Sequence, residues 1–71
     1  MKSYIGIDKY GYEMFLYHIG VVVYCKHVKG NKIKKIKNVC VDNAIIKMFS
    51  DQNISKAYIY DEIKRRYKIT L

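Results

Sequence analysis

The chain has 71 residues, a formal net charge of +8 from 14 Lys and Arg against 6 Asp and Glu, and a hydrophobic fraction of 51%. That length allows a single domain, 1–71, with a modest core, and the hydrophobic fraction argues for a folded chain over a disordered one. No apolar run is long enough to cross a bilayer and no secretory leader opens the sequence, so a soluble, cytoplasmic protein is expected.

Residues 3–7 (SYIGI) and 12–19 (YEMFLYHI) read as two strands around a loop at Asp8-Lys9-Tyr10-Gly11. Side chains alternate across a strand. Pairing about that loop therefore places Ile5, Ile7, Met14 and Leu16 on one face, and Tyr4, Phe15 and Tyr17 on the other with Gly6 and Glu13. A tight turn at Ile19-Gly20 leads into a third strand and pairs Leu16 with Val23, Met14 with Cys25 and Phe15 with Tyr24. It also sets Glu13 opposite Lys26 as a favourable cross-strand charge pair.

Residues 21–41 form the second hairpin. Gly30-Asn31 is a two-residue turn signal with glycine first, as a type II′ turn requires. Counting outward from it pairs Lys29 with Lys32, Val28 with Ile33, Lys26 with Lys35, Cys25 with Ile36, Tyr24 with Lys37, Val22 with Val39 and Val21 with Cys40. One face then carries Val21, Val23, Cys25, Ile36 and Cys40. The other carries Val22, Tyr24, Lys26, Lys35, Lys37 and Val39. A one-residue slip would drive lysines into the core, which disfavours it. Cys25 and Cys40 lie four residues apart along adjacent strands, roughly 13 Å at ~3.3 Å per residue. A disulfide needs Cα atoms within about 7 Å. Two free, buried thiols are expected, as suits a reducing compartment.

Asp42 is placed to cap a helix over NAIIKMFS, with Ile45, Ile46 and Phe49 on one side. Ser50-Asp51-Gln52-Asn53 is a polar link, and Ser55 caps a second helix over KAYIYDEIKRRYK. Its stripe is Ile59, Tyr60, Ile63 and Tyr67, and its last turn holds Lys64, Arg65, Arg66 and Lys68, suited to the negative end of the helix dipole. AYIYDEI also has strand-forming composition, and a strand is the alternative there. The expected fold class is α+β: a four-stranded antiparallel meander over residues 1–41, then two C-terminal helices over 42–71 packed on one face.

Lys, Ile, Asn and Tyr are plentiful and Pro and Trp are absent, a mix that AT-rich coding favours regardless of function. Coding bias does not account for Glu occurring only at positions 13 and 62, so the basic excess points to a polyanionic partner or an acidic protein surface. The face left open would show Tyr4, Phe15, Tyr17, Tyr24, Lys26, Lys35 and Lys37. Aromatic planes for bases and lysines for phosphates are the means by which single-strand-binding sheets work. The hairpin tip, with Lys26, His27, Lys29, Lys32, Lys34 and Lys35, is a candidate β-ribbon for a groove, or a charged edge that discourages aggregation. Arg65 and Arg66 form a second basic patch.

His18, Cys25, His27 and Cys40 lack the spacing of a zinc site, and neither metal nor cofactor is expected. Tyr4-Ile5-Gly6-Ile7-Asp8 resembles the first strand of ribonuclease H-like nucleases and transposases, whose aspartate binds a catalytic metal. The resemblance covers those five residues alone. The other acids, Glu13, Asp42, Asp51, Asp61 and Glu62, show no spacing that rebuilds such a site, and no enzymatic activity is expected. The first functional expectation is a small non-enzymatic protein that binds RNA or DNA, or a nucleoprotein complex. The second rests on size and composition, in which the chain resembles the small proteins of phages and mobile elements, anti-CRISPR proteins among them. That resemblance implies inhibition of a host defence nuclease by protein–protein contact. A homodimer built by pairing edge strands is compatible with either, and no membrane partner is expected.

Overall fold

The computed structural model of the protein describes residues 2–68, with side chains for all of these except Lys2, Lys35, Ile36 and Lys37. The strands are β1 (Lys2–Ile7), β2 (Glu13–Ile19), β3 (Val22–Lys29) and β4 (Lys32–Cys40), followed by helices α1 (Asn43–Phe49) and α2 (Lys56–Tyr67). The four strands form one antiparallel sheet in the order β1-β2-β3-β4. The α+β meander with two C-terminal helices is thus the observed fold, and AYIYDEI is helical.

Both tight hairpins turn on glycine. Gly30 and Gly20 have φ of +58° while Asn31 and Val21 do not share the positive φ, the pattern of a type II′ turn. The turn between β2 and β3 is therefore Gly20-Val21 rather than Ile19-Gly20. The observed register sets Leu16 opposite Cys25, Tyr17 opposite Tyr24 and Phe15 opposite Lys26. This differs from the expected pairing by two residues, one full pleat, so every side chain keeps its face. The expected Glu13–Lys26 pairing is lost, and Glu13 stands opposite Val28.

Two bulges change faces. On β1 the register shifts between Tyr4 and Gly6, leaving Ile5 as the extra residue. Ile5 packs against the core, while Ile7, expected there, lies opposite Glu13 and is 60% exposed. Gly6, at φ +134°, takes a conformation that a residue with a Cβ resists, which allows the strand to bend there. On β4 the shift falls between His27 and Val28 and leaves Lys34 extra. Lys29 with Lys32 and Val28 with Ile33 pair as expected. Beyond them His27 meets Lys35, Lys26 meets Ile36, Cys25 meets Lys37, Tyr24 meets Asn38, Val23 meets Val39 and Val22 meets Cys40. The expected Lys26–Lys35, Cys25–Ile36, Tyr24–Lys37, Val22–Val39 and Val21–Cys40 pairs are all displaced. Cys25 is buried as expected, Cys40 is exposed, and both thiols are free.

The core lies between one sheet face and the helices: Leu16, Val23 and Cys25 from the sheet, Val41, Ile45 and Phe49 around α1, and Ile59 and Ile63 from α2. Asp42 caps α1, its Oδ1 accepting from Ile45 N at 3.1 Å, and Ser55 caps α2, its Oγ accepting from Tyr58 N at 3.1 Å. Lys56 Nζ donates to Phe49 O at 2.6 Å, holding the start of α2 against the end of α1. Asp42 N donates to the Tyr67 hydroxyl at 2.9 Å, tying the end of α2 to the end of the sheet. No helix among the described residues is long and apolar enough to cross a membrane.

Candidate nucleic-acid interface

The side of the sheet away from the core presents rows of cross-strand neighbours. Tyr17 and Tyr24 stack face to face, ring centroids 4.7 Å apart and planes 4° from parallel. Burial and the neighbouring Tyr24 raise the Tyr17 hydroxyl above its ordinary pKa. Tyr4 meets Phe15 edge to face at 5.6 Å, and Lys26 stands opposite Phe15 on β3. Tyr4, Phe15, Tyr17, Tyr24 and Lys26 therefore share the face that the alternation pattern assigned them. The stacked pair covers one ring face of each tyrosine, leaving less aromatic plane for a base than unpaired rings offer. The side chains of Lys35 and Lys37 lie outside the described residues. Their register positions, opposite His27 and Cys25, fall on the helix-covered face and not on the open face expected for them, because the Lys34 bulge shifts that part of β4 by one residue.

A second cluster forms where the β1–β2 loop meets the β3–β4 tip. The Asp8 side chain, only 11% exposed, accepts at Oδ1 from the backbone N–H of Tyr10 (2.9 Å) and Tyr12 (3.0 Å). At Oδ2 it meets His27 Nδ1 at 2.9 Å and Lys34 Nζ at 3.3 Å. Burial alone would raise the Asp8 pKa. The hydrogen bonds from His27, Tyr12, Tyr10 and Lys34 outweigh burial and hold the carboxyl well below the usual carboxylate range. The β4 bulge has a clear local consequence here, because it brings Lys34 within reach of a carboxylate that needs a countercharge. His27 is 7% exposed, with Nε2 buried and unpartnered among the described residues. It braces the loop against the sheet and is no part of an exposed tip.

Around this bracket gather cations and rings. Lys34 Nζ lies 4.0 Å from the Tyr10 ring centroid and 5.3 Å from that of Tyr12. Lys9 lies 5.2 Å from Tyr10, and Lys29 lies 5.8 Å from Tyr12 while donating to Tyr10 O at 3.3 Å. Tyr10 is 58% exposed, as are Lys9, Lys29 and Lys32 in large part. The only acid inside the cluster, Asp8, is shielded and paired.

No family model, curated protein or solved structure matches this chain.

Arg65 and Arg66 occupy the far end of α2. Both donate to Glu62, Arg65 Nη2 at 2.8 Å and Arg66 Nε at 3.2 Å from Oε2. Hydrogen bonding from Arg65 draws the Glu62 pKa down, and the same contact raises that of Arg65. This patch is a partly neutralised helix end. Of the residues singled out from the sequence, the structure thus gathers the four aromatics and Lys26 on one face and Lys29 and Lys32 at the tip, with the arginines elsewhere. Lys9, Tyr10 and Tyr12 carry no functional role in the sequence pattern, and Lys34 figures there only as one lysine of the hairpin tip. Their signal was the run DKYGY facing a lysine-rich hairpin, legible only once the loop and the tip are known to be adjacent.

Proposed function

We propose that this protein is a non-enzymatic binder of single-stranded nucleic acid, and that the cluster of loop and hairpin tip is its contact surface. The observation that carries the reading is the convergence of Lys9, Lys29 and Lys34 on the rings of Tyr10 and Tyr12 around a half-buried, charge-compensated carboxylate. Lys9, Lys29 and Lys32 would meet phosphates, and the exposed Tyr10 ring would stack on a base. Duplexes hide their base faces, so single strands suit this chemistry better. The Asp8 bracket holds the loop in place before binding, so little ordering entropy opposes contact.

The test is fluorescence anisotropy of short RNA and DNA oligonucleotides over a salt series. Single strands release counterions with a slope of about −0.7 per phosphate neutralised, so three lysines give about −2 and a loss of ~20-fold between ~50 and ~200 mM salt. Lys29→Gln with Lys32→Gln should flatten the slope by about 1.4. Tyr10→Ala should weaken binding at every salt concentration, by ~5-fold or more for one lost stack. Binding that is absent at low salt, or indifferent to all three substitutions, would refute the reading. The search would then turn to a protein target of the kind that a defence-nuclease inhibitor engages.

A further inference from the structure

We infer that the helix-free face of the sheet pairs with the same face of a second copy of this chain, forming a face-to-face sheet sandwich. The inference goes beyond nucleic-acid binding and does not depend on it. The face is apolar well past its aromatic centre. Ile19 is 70% exposed, Ile7 60%, Ile33 54%, Tyr4 53% and Val22 36%, and among the described residues both helices pack on the opposite side. Isolated exposed apolar residues are ordinary, but a whole sheet face of them marks an interface.

Area and charge identify the occupant. Four strands ~4.8 Å apart and six residues of ~3.3 Å give a footprint of roughly 20 by 20 Å. With side-chain relief that approaches the ~600–800 Å² per partner of the smaller stable interfaces. A polyanion or an acidic protein would select a cationic face, yet the described side chains of this face carry one cation, Lys26, and one anion, Glu13. By register Lys2, opposite Tyr17, adds a second cation to this face, which leaves it with about one net positive charge on a chain of net charge +8, so the charge that repels two copies lies mostly off the contact. A two-fold axis crossing the strands between the Phe15–Lys26 and Tyr17–Tyr24 rows lays one row over the other in the second copy. It also sends the two basic tips to opposite ends, beyond two Debye lengths of ~8 Å at physiological ionic strength. The loop–tip cluster stays accessible at each end, so a dimer would carry two polyanion sites.

Sedimentation equilibrium up to several hundred micromolar protein tests this. The wild-type chain should approach twice its 8.4 kDa mass. Ile19→Glu with Val22→Glu should weaken the dimer by ~100-fold or more, because each change enters an isologous interface twice. Tyr58→Glu, which removes an equally exposed ring from α2, should leave it intact. If the double variant loses its circular dichroism signature, Ile7→Glu with Ile33→Glu at the other end of the face replaces it, with the same reading. A wild-type chain that stays monomeric overturns the inference. So does a dimer that survives the face substitutions, as edge-strand pairing would, or one that Tyr58→Glu disrupts equally.

Discussion

Leu16 and Cys25 stand opposite each other on β2 and β3, and neither has measurable exposure. Burial pushes the Cys25 thiol up to about 11, against a smaller lowering by the Lys64 charge. Cys40 is exposed at the end of β4. A thiol-specific reagent at mildly alkaline pH should therefore modify Cys40 promptly and Cys25 only through opening of the core. For 71 residues a global stability of roughly 4–10 kcal/mol is expected at ~0.05–0.15 kcal/mol per residue. Cys25 should then react at least ~10³-fold more slowly than Cys40, since ~1.4 kcal/mol of opening free energy is tenfold in population. Leu16→Ala removes three buried carbons next to the thiol at a cost of ~3 kcal/mol, within the measured range for such sites. With reclosing faster than labelling, that cost accelerates Cys25 modification by ~150-fold and leaves the Cys40 rate unchanged. Rates are read by intact-mass spectrometry with peptide assignment. Equal rates for the two cysteines, or a Cys25 rate unmoved by Leu16→Ala, would refute the packing described for this core.

Three further outcomes are expected. Because the folded-state pKa of Asp8 lies below its unfolded value, its contribution to stability is complete above about pH 4 and fades as pH falls through and below that value. Asp8→Asn should thus lower the urea midpoint at neutral pH, with the gap to wild type narrowing in acid; a gap constant with pH would count against the His27–Asp8–Lys34 bracket. Ser55→Ala removes the cap on Tyr58 N and should cost ~1 kcal/mol, a fall of ~4–8 °C in thermal midpoint for a domain this small, whereas an unchanged midpoint would discount the cap. Arg65→Gln with Arg66→Gln should leave oligonucleotide affinity within about twofold, since both guanidinium groups already face Glu62 and exposed ion pairs contribute little; a large loss would restore the helix end as a contact site.

Local patterns in the chain determined a good deal. Glycine-first turns, alternation along β2 and β3, and the capping residues Asp42 and Ser55 each act within a few residues. The elements, their order and the faces of Leu16, Val23, Cys25, Phe15, Tyr17 and Tyr24 follow from them. Even the one-residue displacement of the β2–β3 turn left those faces intact, because it shifts the pairing by two residues and the pleat repeats every two. Tertiary structure decided what depends on groups distant in sequence. The bulges at Ile5 and Lys34 are single insertions that strict alternation does not reveal. The first turns Ile7 outward, and the second delivers Lys34 to Asp8, 26 residues away. Asp8 reads as a loop acid in the sequence and is a half-buried, charge-compensated bracket in the fold. The meeting of the DKYGY loop with the lysine hairpin exists only because adjacent hairpins of a meander bring alternate turns to the same end of the sheet. That end carries the surface proposed to bind nucleic acid.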